Sequence, residues 1–410
     1  MRAHALLAAA ATVVGITLLA SPSMAADAAP GPLATATSDS EIPSGHNAAD
    51  AVPTSPDGTR AFVTTWGERG APSYVYFVDA VHGSVLRSAS VGTAVSSTGP
   101  AVAPDGKRIA IGSWPAKSVI FLDARTGKVV KKVPVGGQPD SLLIGPKGSS
   151  LFAFLVDTGQ VVKIDTKSYR VTGRFATKTS QGTCRKDWTG MAMSADSKTL
   201  LLSCSENGLL FLSTSTGRLT AYDMKAGGGT PVFSPDRRLV YTGIAEYFSI
   251  TDARTGASVA LVDLYGKGDG DIDGIENPMS IAVAPDGSAV YATMPDVGQI
   301  SVLDPRTGKE RSRISLAGST KLRASGLAVS SDGSRLYAST ERGLLTIDIA
   351  SNAVVGLDPN PQPKDTASGV DVVTSPPVIM AGSRVGLAWT AFSGGSEEES
   401  GFRILTMPSR

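Results

Sequence analysis

The sequence predicts an all-β chain folded as one ring of four-stranded sheets, a β-propeller, and three observations predict it. A turn phrase of the form Ser/Ala-Pro-Asp-Gly recurs seven times, with third positions at Asp57, Asp105, Lys147, Asp196, Asp236, Asp286 and Asp332. Those positions are 48, 42, 49, 40, 50 and 46 residues apart, a period that belongs to repeat architectures. A second phrase, Asp-x-Arg-Thr-Gly, runs in step with the first. It is clean from Asp123, Asp252 and Asp304 and worn from Asp79, Asp165, Ser213 and Asp348. The third observation is the text between the turns, which reads as short strands; helical periodicity is absent outside the N-terminus.

Both phrases are turn chemistry. Asp and Ser side chains bond the local backbone, and Gly or Asn accepts a positive φ near the end of the turn. Each phrase therefore joins two strands as a hairpin. The second unit shows all four strands: Pro100 to Ala103, Arg108 to Trp114, Ser118 to Asp123 and Lys128 to Val135. Its third strand is a continuous apolar run, as expected for burial on both faces. Its fourth alternates apolar and charged residues, as expected at a solvated edge. Four antiparallel strands at this period make one propeller blade.

Seven units are plain and an eighth is worn. Val370 to Pro376 resembles a first strand reaching its anchor turn, Val385 to Phe392 a second strand and Phe402 to Met407 a third. The fourth is missing at that end. The segment from Leu33 to Ile42 precedes the first anchor as a fourth strand precedes the next unit, so it can complete the last blade and remove the free edges. The expectation is eight blades closed in this way. The alternative is seven blades with a C-terminal extension.

Residues 33–408 are expected to form the propeller and residues 26–32 a flexible lead. Residues 1–25 read as a signal peptide: Arg2, an apolar core from Ala5 to Ala20, then Ser23-Met24-Ala25 as a small-x-small cleavage site. The other reading is a retained N-terminal anchor. No Cys follows the apolar core, which argues against lipoprotein attachment, and no later stretch is long and apolar enough to span a bilayer. The chain has 410 residues with formal net charge +1 and no long basic run, which argues against nucleic acid as a partner. Its 45 Gly and 25 Pro are accounted for by the many turns. A secreted or extracytoplasmic monomer is expected.

The two cysteines fit export. Cys184 lies in the connection leading into unit four and Cys204 ends that unit's second strand, two places on the same face of a propeller. A disulfide is expected there, with two unrelated buried thiols as the alternative. That face also collects the longer connections, while the other has mostly tight Asp-Gly turns. Function on repeat rings sits where loops elaborate. Trp66 and Trp114 end second strands, Trp188 lies in an inserted loop, and Arg69 and Arg185 are near them in sequence. Exposed Trp and Arg are frequent anchors for a ligand or protein partner, so these five are the candidate contact residues. The alternative is that the Trp rings wedge between blades, the favoured reading for Trp389.

One stretch has metal-binding character. Asp269, Asp271 and Asp273 alternate ahead of Gly274, with Glu276 beyond. Alternating carboxylates and a turn Gly suit calcium, which takes six to eight hard oxygens. The twelfth position is Ser280 rather than Glu, so the match to a helix-loop-helix calcium loop fails, and a solvated acidic loop is the alternative. No other cofactor is expected. Catalytic patterns are scarce: past the N-terminal segment the chain has only His46 and His82 and no recognised nucleophile motif. No catalytic residue is assigned.

The repeats resemble those of the YVTN-type β-propeller family of exported and surface-layer proteins, a WD40-like arrangement. The residues that carry the resemblance are the Tyr strands at Leu239-Val240-Tyr241-Thr242, Val290-Tyr291-Ala292-Thr293 and Leu336-Tyr337-Ala338-Ser339, and the exits Val91-Gly92 and Val135-Gly136. The Asn of the family signature is absent throughout. The resemblance implies an exported binding or scaffold propeller that offers its loop-rich face to a ligand or protein partner. The alternative it implies is a metal-dependent lactonase or lyase acting at the central pore.

Overall fold

The first turn phrase folds because its own side chains satisfy its backbone. In the computed structural model, Ser55 Oγ donates to Asp57 Oδ1 (2.5 Å) and accepts from Arg60 N–H (3.0 Å), while Asp57 Oδ1 accepts from Thr59 N–H (3.1 Å). The same relay recurs at Ser194, Ser234 and Ser330. The second phrase works through its leading Asp. Asp252 Oδ1 accepts from Arg254 N–H, Thr255 N–H and Thr255 Oγ1 at 3.1, 2.7 and 2.7 Å. Local bonds of this kind fix turn geometry without any long-range partner.

The structure describes residues 35–42, 46–48, 52–67, 72–93, 99–180, 182–184, 190–204, 208–223, 226–244, 247–265, 279–294, 297–316, 324–360, 370–375, 377–380, 383–393 and 396–407. They form eight antiparallel blades and no α-helix. Blade 2, with strands Ala101–Val102, Arg108–Ser113, Ser118–Asp123 and Val129–Pro134, is typical of blades 1 to 7. In each of those seven the register between third and fourth strands shifts by a bulge close to the turn, which increases local twist.

Blade 8 closes the ring as expected. Its second and third strands are Arg384–Ser393 and Ser396–Thr406, and Thr35–Ile42 adds as the outermost strand, pairing Thr35 with Thr406 and Ile42 with Ser400. The first strand, Val370–Thr374, runs up to Ser375 as expected and pairs Arg384–Ser393. Ser375 exchanges hydrogen bonds with Ala388 through its backbone N–H and its Oγ, as Ser55 does with Arg60. What differs is the connection: a further strand, Val378–Met380, pairs the start of Arg384–Ser393 before the hairpin closes between Met380 and Arg384.

The core is divided among the blade interfaces. Eight buried apolar clusters span all eight junctions of neighbouring blades. Strand alternation assigns residues to them: Ala61 and Val63 face blade 8, whereas Phe62 between them faces blade 2. This is why the inner strands read as unbroken apolar runs. Each buried Phe, Leu or Ile contributes about 1.5–3 kcal/mol. Trp389 is 3% exposed, so it wedges into the core as expected. The Tyr strands also bridge blades: Tyr241 Oη donates to Pro305 O of blade 6 at 2.9 Å, and burial pushes its pKa up to about 12.

Candidate binding face

Strand direction sorts every loop onto one of two faces. First-to-second and third-to-fourth strand turns lie on one face. Second-to-third turns and the connections between blades lie on the other.

The first face is closed chemically. Hydrogen bonds from Ser and Thr hydroxyls and turn N–H groups hold Asp57, Asp123, Asp165, Asp196, Asp236, Asp252 and Asp286 below the usual carboxylate range. Asp348 is brought to about 2, first by the Ser351 N–H and hydroxyl and then by Arg335. Asp304 falls further, chiefly through the Arg311 guanidinium at 2.7 Å. His82 stands in a turn of this face, with Nδ1 2.9 Å from Asp79 Oδ2.

The second face is built differently. Cys184 and Cys204 are joined in a disulfide, with Cα atoms 5.9 Å apart. The bond ties the connection leading into blade 4 to the corner of that blade's second strand. A short hairpin, Lys178–Thr179 paired with Gly182–Thr183, precedes it. Trp114 directly follows the second strand of blade 2 and is half-buried; its Nε1 donates to Pro139 O of blade 3 at 3.0 Å. Its N–H is thereby engaged within the protein. Beside it, Asp157 Oδ1 accepts from Gln138 N–H (2.8 Å) and Oδ2 lies 3.5 Å from Lys117 Nζ. Arg174 reaches across to Val135 O, and Arg403 to Pro359 O.

Trp66 pairs with Asn47 and His46 with Gly67 in blade 1, both at this face; only their backbone is described. Arg69, Arg185, Trp188 and the acidic stretch of Asp269, Asp271, Asp273 and Glu276 lie outside the described residues. Among the described residues no group of three metal-ligating side chains occurs. The sequence reading missed two aromatics. Tyr247 is 42% exposed where the third strand of blade 5 begins, and Tyr222 is 38% exposed near the end of blade 4's outer strand, its Oη 3.4 Å from Ser180 Oγ. Position alone could have found Tyr247, since the residue after a second-to-third turn always stands at this face.

No family model matches the chain, and no curated protein matches it. Solved structures do. The chain is similar to BamB from Moraxella catarrhalis at 16% identity, covering 91% of this chain and 100% of that one, with a TM-score of 0.59. It is similar to the dihydro-heme d1 dehydrogenase NirN in complex with DHE at 18% identity, over 78% of this chain and 67% of that one, TM-score 0.58. It is similar to hydrazine synthase of Kuenenia stuttgartiensis at 20% identity, over 80% of this chain and 98% of that one, TM-score 0.54. At such identities the likeness shows the fold, an eight-bladed β-propeller here, and the different names show that the fold selects no chemistry. No helix among the described residues is long and apolar enough to cross a membrane.

Proposed function

We propose that this chain is an exported binding or scaffold propeller whose loop-rich face receives a protein partner. The observation that carries the reading is the Cys184–Cys204 bridge. A disulfide belongs to an oxidising compartment, and this one fixes the base of a connection on the elaborated face. Loops held in place before binding lose less entropy on contact, which is how a rigid ring serves as a docking platform. The signal-like N-terminus supports the same compartment, and the exposed Tyr247 with the half-buried Trp114 supplies aromatic surface of the kind that anchors partners. The repeats are read as YVTN-type on the strength of their two turn phrases and of the buried Tyr241, Tyr291 and Tyr337 at one position in three blades. The acidic stretch from Asp269 to Glu276 is proposed to take calcium, ordering the connection into blade 6.

Photo-crosslinking from the two faces tests the reading. A photoreactive residue at Ala116, in the second-to-third turn of blade 2, is expected to trap a partner in the exported compartment. One at Lys107, in the opposite turn of the same blade, is not. Adducts from Lys107 alone, or equally from both, would overturn the assignment of the face.

A further inference from the structure

The seven anchor turns act as internal controls for one another, and blade 3 departs from them. Six carry Asp at the third position; blade 3 carries Lys147. Its neighbour departs too. At four junctions a turn proline lies against the next blade's turn glycine: Pro56 on Gly106, Pro104 on Gly148, Pro235 on Gly287 and Pro285 on Gly333. In blade 4 the glycine position is Ser197, which holds φ +63° despite its side chain. Its hydroxyl oxygen is buried and has no hydrogen-bond partner among the described residues.

Between these two turns is a notch of about 210 Å³ lined by Lys147, Lys163, Lys198, Ser149, Ser197 and Asp196, among others. Lys163 is held in place: its Nζ donates to Thr214 O at 2.9 Å and lies 5.8 Å from the Phe152 ring centre. Among the described residues none of the three ammonium groups has a carboxylate within ion-pair distance. Asp196 also lines the notch, but its Oδ1 is taken by Ser194 Oγ (2.7 Å) and Lys198 N–H (3.0 Å). The balance is three cations to one already engaged carboxylate, with hydroxyl groups between them.

We infer that the notch between blades 3 and 4 is a binding site for a tetrahedral oxyanion of the phosphate type. Ammonium groups suit such a ligand as point charges, and hydroxyl donors fill the remaining directions around it. The site lies on the turn face, away from the loop-rich face.

Calorimetric titration of the full chain with sodium phosphate, at ionic strength held constant with sodium chloride, tests this. Saturable binding at one site per chain is expected, with sulfate competing. Lys147→Asp restores the residue of the other turns, so the turn keeps a compatible sequence, and thermal melting checks that it folds. It is expected to weaken binding by about tenfold or more, the scale of one lost charge-assisted contact. Lys131→Asp, on the outer strand of blade 2, is expected to leave binding unchanged. Heats that do not saturate, or equal affinity in folded Lys147→Asp, would overturn the inference.

Discussion

Replacing Tyr241 with Phe removes one oxygen and makes two separable predictions. The Tyr241 ring is 1% exposed, and its hydroxyl donates to Pro305 O in the next blade at 2.9 Å. Losing the bond and stranding a carbonyl acceptor costs about 1–2 kcal/mol near neutral pH. The second effect has the opposite sign. Burial raises the Tyr241 pKa to about 12 in the folded chain, against 10.0 for an unburied phenol. A group with a raised folded pKa gives its full stabilisation below the unfolded pKa. Above it the unfolded state loses its proton first, and stability falls as pH rises toward the folded value. By about pH 11 wild type has lost about 1.4 kcal/mol through this one group, and Tyr241→Phe has not. Urea unfolding at about pH 8 and about pH 11 reads both. The variant is expected to be less stable at the lower pH and to draw level with wild type at the higher one. A stability gap that stays constant between the two would refute the buried, bonded hydroxyl. Tyr291→Phe and Tyr337→Phe are controls: their hydroxyls make no hydrogen bond to protein among the described residues, so they should lose less near neutral pH.

Replacing both cysteines by Ser opens a 20-residue separation between Cys184 and Cys204 and should lower stability by about 3 kcal/mol, while mass spectrometry of the unreduced chain should find no free thiol. Deleting residues 1–42 removes the outer strand of blade 8 and bares the edge of Ser396–Thr406; light scattering should show self-association that the full chain lacks. Gly308→Ala puts a Cβ 2.7 Å from Val262 Cγ2 at φ +69°, so it should cost about 2–4 kcal/mol in melting experiments, whereas Gly92→Ala, with nothing within 4 Å, should cost only the backbone strain of about 1 kcal/mol. Calcium added to chelator-treated protein should bind with measurable heat and raise the melting temperature; absence of both would remove the Asp269 to Glu276 proposal.

The ring was legible because its signals are local. An Asp that satisfies its own turn, as Asp123 and Asp252 do, needs no distant partner, so the pattern is readable in the sequence at most repeats. The bridge between Cys184 and Cys204 was legible through topology, since strand direction puts both on one face. In blade 8 the Ser-Pro signal marks the end of the first strand, Val370–Thr374, but nothing in it announces the added strand Val378–Met380 on the same partner. The Trp114 contact was not legible. Nothing in the sequence says that its N–H finds Pro139 O, because that meeting depends on how two blades are set side by side. The notch between blades 3 and 4 failed to register for a related reason: Lys147 reads as a worn repeat until Lys163 and Lys198 are seen beside it.

The two faces differ for a physical reason that bears on function. A turn whose carboxylate is already bonded by two or three local donors has little left to offer a partner, and changing it removes bonds that hold the hairpin. The turn face is free of this duty only where the bonding scheme is abandoned, as at Lys147, where a cation stands in the carboxylate's place. The loop face has no such requirement. Its second-to-third turns close between strands already paired along six residues, as Arg108–Ser113 and Ser118–Asp123 are, so residues there can change or multiply without undoing the blade. Elaboration accumulates where its cost is lowest, and that asymmetry, more than any single side chain, is why partner contact is assigned to the face that carries Trp114, Tyr247 and the Cys184–Cys204 bridge.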